Sequence, residues 1–169
     1  QVIAFIYMFH MPLFFIASGY CFKEKYLSAP RKYIYNKVKG IYWPYVKWSL
    51  LFLLLHNVCF NLKLYSDQYG WKEYVSHLYA PSEFLSLATS IIFKMQGHEQ
   101  LLGGYWFMNA LFFGSLIVWL VIRYVKQPLC GGAILIVICT VLNKTCWQIP
   151  FINISSQAFA AGLLIYIGY

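Results

Sequence analysis

The chain has 169 residues, of which 61% are hydrophobic, 21% aromatic and only 11% charged, with a mean hydropathy of +0.60. Soluble domains average about 25% charged residues, and a domain this small has too little interior to hide so much apolar surface, while the aromatic content excludes disorder. The net charge of +8 is not that of a nucleic-acid binder, because the basic residues cluster between apolar runs instead of lining a solvated face.

Residues 2–22 contain no Asp, Glu, Lys or Arg. A membrane helix needs about 20 predominantly apolar residues, so this run reads as a first span. Within it, His10 and Pro12 are costly at bilayer depth. An ionisable group there must face protein or a water-filled cavity, and the carbonyl that Pro12 frees near Met8 needs a partner from a neighbouring helix. Two readings of His10 stand: a polar interior site, or a neutral imidazole hydrogen-bonded between helices. Ser18 and Gly19 form a small pair that permits close helix contact.

Six of the 13 basic residues (Lys23, Lys25, Arg31, Lys32, Lys37 and Lys39) fall in the next segment, 23–39. That is the pattern of a cytoplasmic loop under the positive-inside rule. Residues 41–62 form a second span, whose opening aromatics and Lys47 suit an interfacial belt. Residues 63–104 are polar and carry Asp67, Glu73, Glu83 and Glu99. Inside this stretch, residues 84–95 are apolar but too few to cross. Pro81, Ser82 and Glu83 mark a helix start, and Lys94 with Gly97 an end, so the spacing predicts a short helix lying at the interface or on the bundle.

Residues 105–125 form a third span closed by Arg123 and Lys126, residues 128–142 a shorter fourth, and residues 157–169 the first part of a fifth. With segment 23–39 in the cytoplasm, the second span leads outward to the long polar stretch. The third returns, placing Arg123 and Lys126 inside and Gln1 outside. The expected fold is an all-α, polytopic transmembrane helix bundle, with about five membrane helices and one short interfacial helix in a single domain over 1–169. Neither a basic leader nor a cleavage site precedes the first span, and both ends lie in apolar runs, so the chain is expected to be incomplete at its N- and C-terminus. Cys21, Cys59, Cys130, Cys139 and Cys146 are scattered, with no metal-ligand spacing and no disulfide framework.

The stretch FHMPLFFIASGY, residues 9–20, resembles the signature of acyltransferase family 3, the integral-membrane O-acyltransferases that include fucose and polysaccharide O-acetylases. Three further stretches resemble that family in order and spacing: KVKGIYWPY, GGYWFMNALFFGSL and SSQAFAAGLLIYIGY. The resemblance implies a multi-pass protein of the cell membrane. It also implies transfer of an acyl group, usually acetyl and not an aminoacyl group, from a thioester donor to a carbohydrate hydroxyl. Acetyl-CoA would be the donor substrate, with no bound cofactor. It places an arginine and the histidine usually assigned as catalytic on a helix upstream of residue 1. His10 is then a lining or auxiliary group, and the 169 residues alone are expected to be inactive.

Lys37 and Lys39 stand where the family often carries an arginine pair, which points to donor binding, with lysine supplying charge but no bidentate fork. The basic segment would concentrate the phosphates of coenzyme A at the cytoplasmic face. The other reading is topology alone. Trp106 is a candidate platform for a sugar ring, or else a belt residue, and Asn109 a candidate hydroxyl partner. His98 and Glu99 either meet the acceptor or belong to a solvated loop. Two readings compete with the enzyme: a multi-span transporter or glycan-export protein, disfavoured by the lack of repeats and paired broken helices, and a helical subunit with no site, against which His10 and Pro12 argue.

Overall fold

The structure is a computed structural model, which describes residues 2–64, 77–96, 100–145, 154 and 156–169, of which 2–9, 100–101, 103, 142–145 and 156 are described by backbone alone. Every regular element among these residues is helical. They are α1 (Val2–Tyr20), α2 (Lys25–Ser28), α3 (Pro30–Lys37), a π-helical segment (Val38–Tyr42), α4 (Trp43–Asn61), α5 (Pro81–Lys94), a 3₁₀ segment (Gln100–Tyr105), α6 (Trp106–Tyr124), α7 (Pro128–Thr145) and α8 (Ser156–Gly168). Prolines set three of the starts: Pro30, Pro81 and Pro128 all lie in a first turn, where the missing N–H has no intrahelical partner to lose. Pro12 lies inside α1, and Pro44 follows directly on the π-helical segment.

The segment expected as a loop is largely helical. α3, the π-helical segment and α4 follow one another without a break from Pro30 to Asn61. Residues 30–61 therefore form one long rod. The wider π turn is the usual way to absorb an extra residue within a helix. Along its first half the rod packs on α6, through Tyr33 on Trp119 and Tyr42 on Phe112. Along its second half it packs on α5, with Val46 and Leu53 in one cluster with Ile91, and just before the midpoint the Tyr42 hydroxyl donates to the Ile92 carbonyl (2.6 Å). One apolar cluster, including Tyr45, Leu53, Ile91 and Phe112, fills the contact among α4, α5 and α6, and a second, including Phe15, Ala110, Val118 and Ile165, joins α1, α6 and α8.

Two glycines let α1 meet α8. A Cβ at Gly19 would overlap the Ile165 carbonyl, and one at Gly168 would overlap the Ile16 carbonyl, so the two backbones touch on both sides of the crossing.

Among the described residues, α6 alone is long and apolar enough to cross a membrane, with a mean hydropathy of 1.7. α4 matches it in length at 19 residues but carries Lys47, Ser49, His56, Asn57 and Asn61. The described apolar stretches of the last two helices, Pro128–Val141 and Gln157–Gly168, are shorter.

The short helix expected around 84–95 is α5. Its first turn is closed by the Glu83 carboxylate, which accepts the Ala80 N–H (2.9 Å), and it ends at Met95 in the left-handed conformation (φ 48°). The same carboxylate meets the His77 ring at 3.1 Å. The segment before α5 is held to the end of α4 by Asn57, which accepts from the Tyr79 N–H (2.9 Å) and donates to the Tyr79 carbonyl (3.2 Å). Beside it the buried His56 ring stacks on Tyr79 at 3.6 Å. The Ala80 N–H, followed by His77, holds the Glu83 carboxyl below its ordinary value of 4.5. A carboxyl depressed in the folded state stabilises it above the unfolded value, and that contribution is lost as pH falls through the folded value. The protection of the first-turn amides of α5, relative to intrinsic exchange at each pH, is therefore expected to fall below about pH 4.5, the ordinary value, and Glu83→Ala should show the reduced protection already at pH 7. Equal rates for both proteins across this range would remove Glu83 as the cap.

Candidate functional site

A cavity of about 130 Å³ lies where five helices, α1, α2, α3, α6 and α8, converge. α1 and the turn after it contribute Ser18, Cys21 and Phe22, and the basic segment contributes Tyr26, Tyr33 and Lys37. Ser115 and Val118 of α6 and Ile165 of α8 close it. Ile165, which closes the cavity, is also the residue whose carbonyl Gly19 approaches in the α1–α8 contact. With a Cβ at Gly19 the helices would separate and the cavity would lose its wall.

Lys37 brings the charge. Its side chain is partly buried, its ammonium lies 5.5 Å from the centre of the Tyr33 ring, and no carboxylate is among the residues lining the cavity. Burial pushes the Lys37 ammonium below its ordinary pKa of 10.5, because a low-dielectric setting disfavours the charged form. A bound anion would reverse that penalty. Tyr33 is fixed from two sides: its hydroxyl donates to the Ser115 carbonyl (2.9 Å), and its ring packs edge-on against Phe22 at 5.8 Å. The Ser115 hydroxyl donates to the Phe112 carbonyl within its own helix (2.9 Å). The Ser18 and Cys21 side chains add polar groups to the wall. Chemically, the site is a small pocket with one cation, several hydroxyls and an aromatic lining. It suits an anionic group of about phosphate size.

The remaining expected residues lie elsewhere. Lys39 is exposed and does not line the cavity. His10 is exposed on α1, two turns before Ser18, with no hydrogen bond to any described residue. Trp106 is 46% exposed at the start of α6, with its ring edge-on to Phe107. Asn109 is buried, and its amide donates to the Met95 carbonyl (3.3 Å), joining the left-handed end of α5 to α6. His98 and Glu99 lie outside the described residues. Lys37 is thus the one expected site residue that the cavity gathers.

Sequence reasoning missed Tyr26, Tyr33, Ser115 and Trp119. Tyr33 stands in a segment read as solvated yet is only 3% exposed. The available signal was the run of tyrosines at 26, 33 and 35 among the cations, since a purely topological loop has no need of aromatics.

Compared with known proteins, residues 1–169 match the family model of an acyltransferase domain, that of acyltransferase family 3. Neither the curated proteins nor the solved structures contain a match.

Proposed function

The chain belongs to acyltransferase family 3, and from that premise we propose that it is a multi-pass O-acyltransferase of the cell membrane. In this reading it moves an acetyl group from acetyl-CoA to a hydroxyl of a cell-surface or exported carbohydrate. The observation that carries the proposal is the partly buried Lys37 ammonium, within the basic segment, in a cavity with no lining carboxylate. About five membrane helices fit the apolar runs. The positive-inside rule puts residues 23–39 and Arg123 in the cytoplasm, where coenzyme A is found.

Lys37 holds a phosphate of the donor in the cavity, and Lys39, exposed beside it, adds long-range attraction. The acceptor hydroxyl attacks the thioester carbonyl. A tetrahedral oxyanion forms, and its collapse breaks the carbon–sulfur bond and releases the thiol of coenzyme A, which takes up the proton given by the hydroxyl. This chemistry needs a base for the hydroxyl and hydrogen-bond donors for the oxyanion. His10, exposed on α1, serves as an auxiliary group, while Trp106 and Asn109 stand at the outer start of α6, on the side where the acceptor arrives.

The test is transfer of label from acetyl-CoA to surface glycan in membranes holding the full-length protein. Transfer above that of membranes lacking the protein is the expected result, and its absence at matched expression would sink the proposal. His10→Ala in the same assay should lower the rate by less than the ~10²–10⁴ of a lost general base. A loss within or above that range would make His10 the base.

A further inference from the structure

At the inner end of α6 a chain of ring contacts runs from one cation to another. The Arg123 guanidinium lies 5.1 Å from the Trp119 ring centre. Trp119 lies 5.8 Å from Tyr33, with the two planes 16° apart, and the Lys37 ammonium lies 5.5 Å from the Tyr33 ring. Both rings are buried, Trp119 at 7% and Tyr33 at 3% exposure. Each is also tied to backbone: the indole N–H donates to the Tyr26 carbonyl (3.0 Å), and the Tyr33 hydroxyl donates to the Ser115 carbonyl. Arg123 donates to the Leu27 carbonyl (3.2 Å), closing the inner end.

Only the far end of this chain reaches the cavity. Tyr33 and Lys37 line it, whereas Trp119 and Arg123 do not. A free lysine spreads over many rotamers, and ordering it costs entropy. The face of an aromatic ring within about 6 Å restricts an ammonium through the ring quadrupole, but only if the ring itself is held. Trp119 adds to the hold of the Ser115 carbonyl and of the Phe22 and Tyr26 rings on Tyr33: its indole lies as a plate nearly parallel to that ring, and its N–H clamps the backbone at Tyr26 beside it. Without that plate Tyr33 gains room, and an arriving anion must order both the ring and the lysine.

We propose that Trp119 is a positioning residue for the donor: acting through Tyr33, it holds the Lys37 ammonium where the cavity receives a phosphate of coenzyme A. The inference rests on the reading of Lys37 as a donor contact. It assigns Trp119 to donor affinity and not to the chemical step.

The experiment is equilibrium binding of labelled coenzyme A to membranes holding the full-length protein, for Lys37→Gln, Trp119→Leu, the double variant and Trp119→Phe. Lys37→Gln and Trp119→Leu should each weaken binding by ~3–10-fold, the scale of a partly desolvated cation–π contact. The double variant should be no weaker than the worse single, since both remove one interaction. Trp119→Phe keeps an aromatic plate without the indole N–H and should return to within about twofold of the parent. Should Trp119→Leu fail to insert, Tyr33→Leu takes its place in the cycle with the same expectation. Undiminished binding by Trp119→Leu, or losses that multiply in the double variant, would overturn the positioning role and leave the donor contact standing. Undiminished binding by Lys37→Gln would overturn both.

Discussion

Gly19→Ala is expected to destabilise the protein strongly, by more than an added methyl group at an open glycine. The added Cβ would overlap the Ile165 carbonyl, and backbone cannot swing aside as the end of a long side chain can. α1 and α8 would have to separate, and Gly168, which meets the Ile16 carbonyl from the other helix, would lose its contact in the same movement. Overpacking a tight interior costs ~1–3 kcal/mol, and here the whole α1–α8 crossing is affected. The check is the thermal midpoint of the purified protein in detergent, with Gly104→Ala as control, since nothing lies within 4 Å of a Cβ at that position. A midpoint for Gly19→Ala equal to that of the control would mean that α1 and α8 do not pack in this way.

The second large effect concerns the donor. Lys37→Gln with Lys39→Gln should raise the KM for acetyl-CoA by about tenfold or more while leaving kcat near the parent value, because the lost contacts are made equally in the ground and transition states. Most of the change should come from Lys37. Its ammonium is screened from solvent by the cavity wall, whereas Lys39 is exposed, and exposed charges are worth little at physiological salt. Raising the ionic strength should therefore narrow the gap between parent and double variant, as bulk ions screen what remains. Unchanged donor KM in a normally inserted double variant would return both lysines to a purely topological role.

Much of the helical layout was legible because prolines and glycines punctuate it. Pro81, Ser82 and Glu83 marked the start of α5, and the structure adds the hydrogen bond from the Ala80 N–H to Glu83 that explains why. Pro128 likewise opens α7. Ser18 and Gly19 signalled a close helix contact, but their partner lies some 150 residues away in sequence, at Ile165, and no local pattern names it. The basic segment misled because charge dominates its composition. The eight positions from Lys32 to Lys39 hide one buried ring, Tyr33, whose partners Ser115 and Trp119 are on α6. Continuity of α3 into α4 was hidden too, since the π turn at Val38–Tyr42 shifts the helical phase that a 3.6-residue period would follow.

The site was legible in part for the same reason. Lys37 could be singled out as a cation in a matching motif, but the cavity around it is built by five helices and exists only once they pack. Asn109 shows the converse. Its polar side chain near a helix start suggested a hydroxyl partner, and the structure adds a hydrogen bond from its amide to the Met95 carbonyl at the left-handed end of α5, which no local pattern announces.

If Lys37 meets the donor at the inner end of the bundle, the side from which acetyl-CoA is supplied decides whether transfer occurs. The direct measurement uses sealed membrane vesicles of both orientations, each given labelled acetyl-CoA that cannot cross the bilayer. Label should enter the glycan in inside-out vesicles, where residues 23–39 and the cavity face the added donor, and this transfer should fall in Lys37→Gln at limiting donor. Transfer in right-side-out vesicles alone, or equal transfer by the parent and Lys37→Gln at limiting donor, would contradict a cytoplasmic donor cavity built around Lys37.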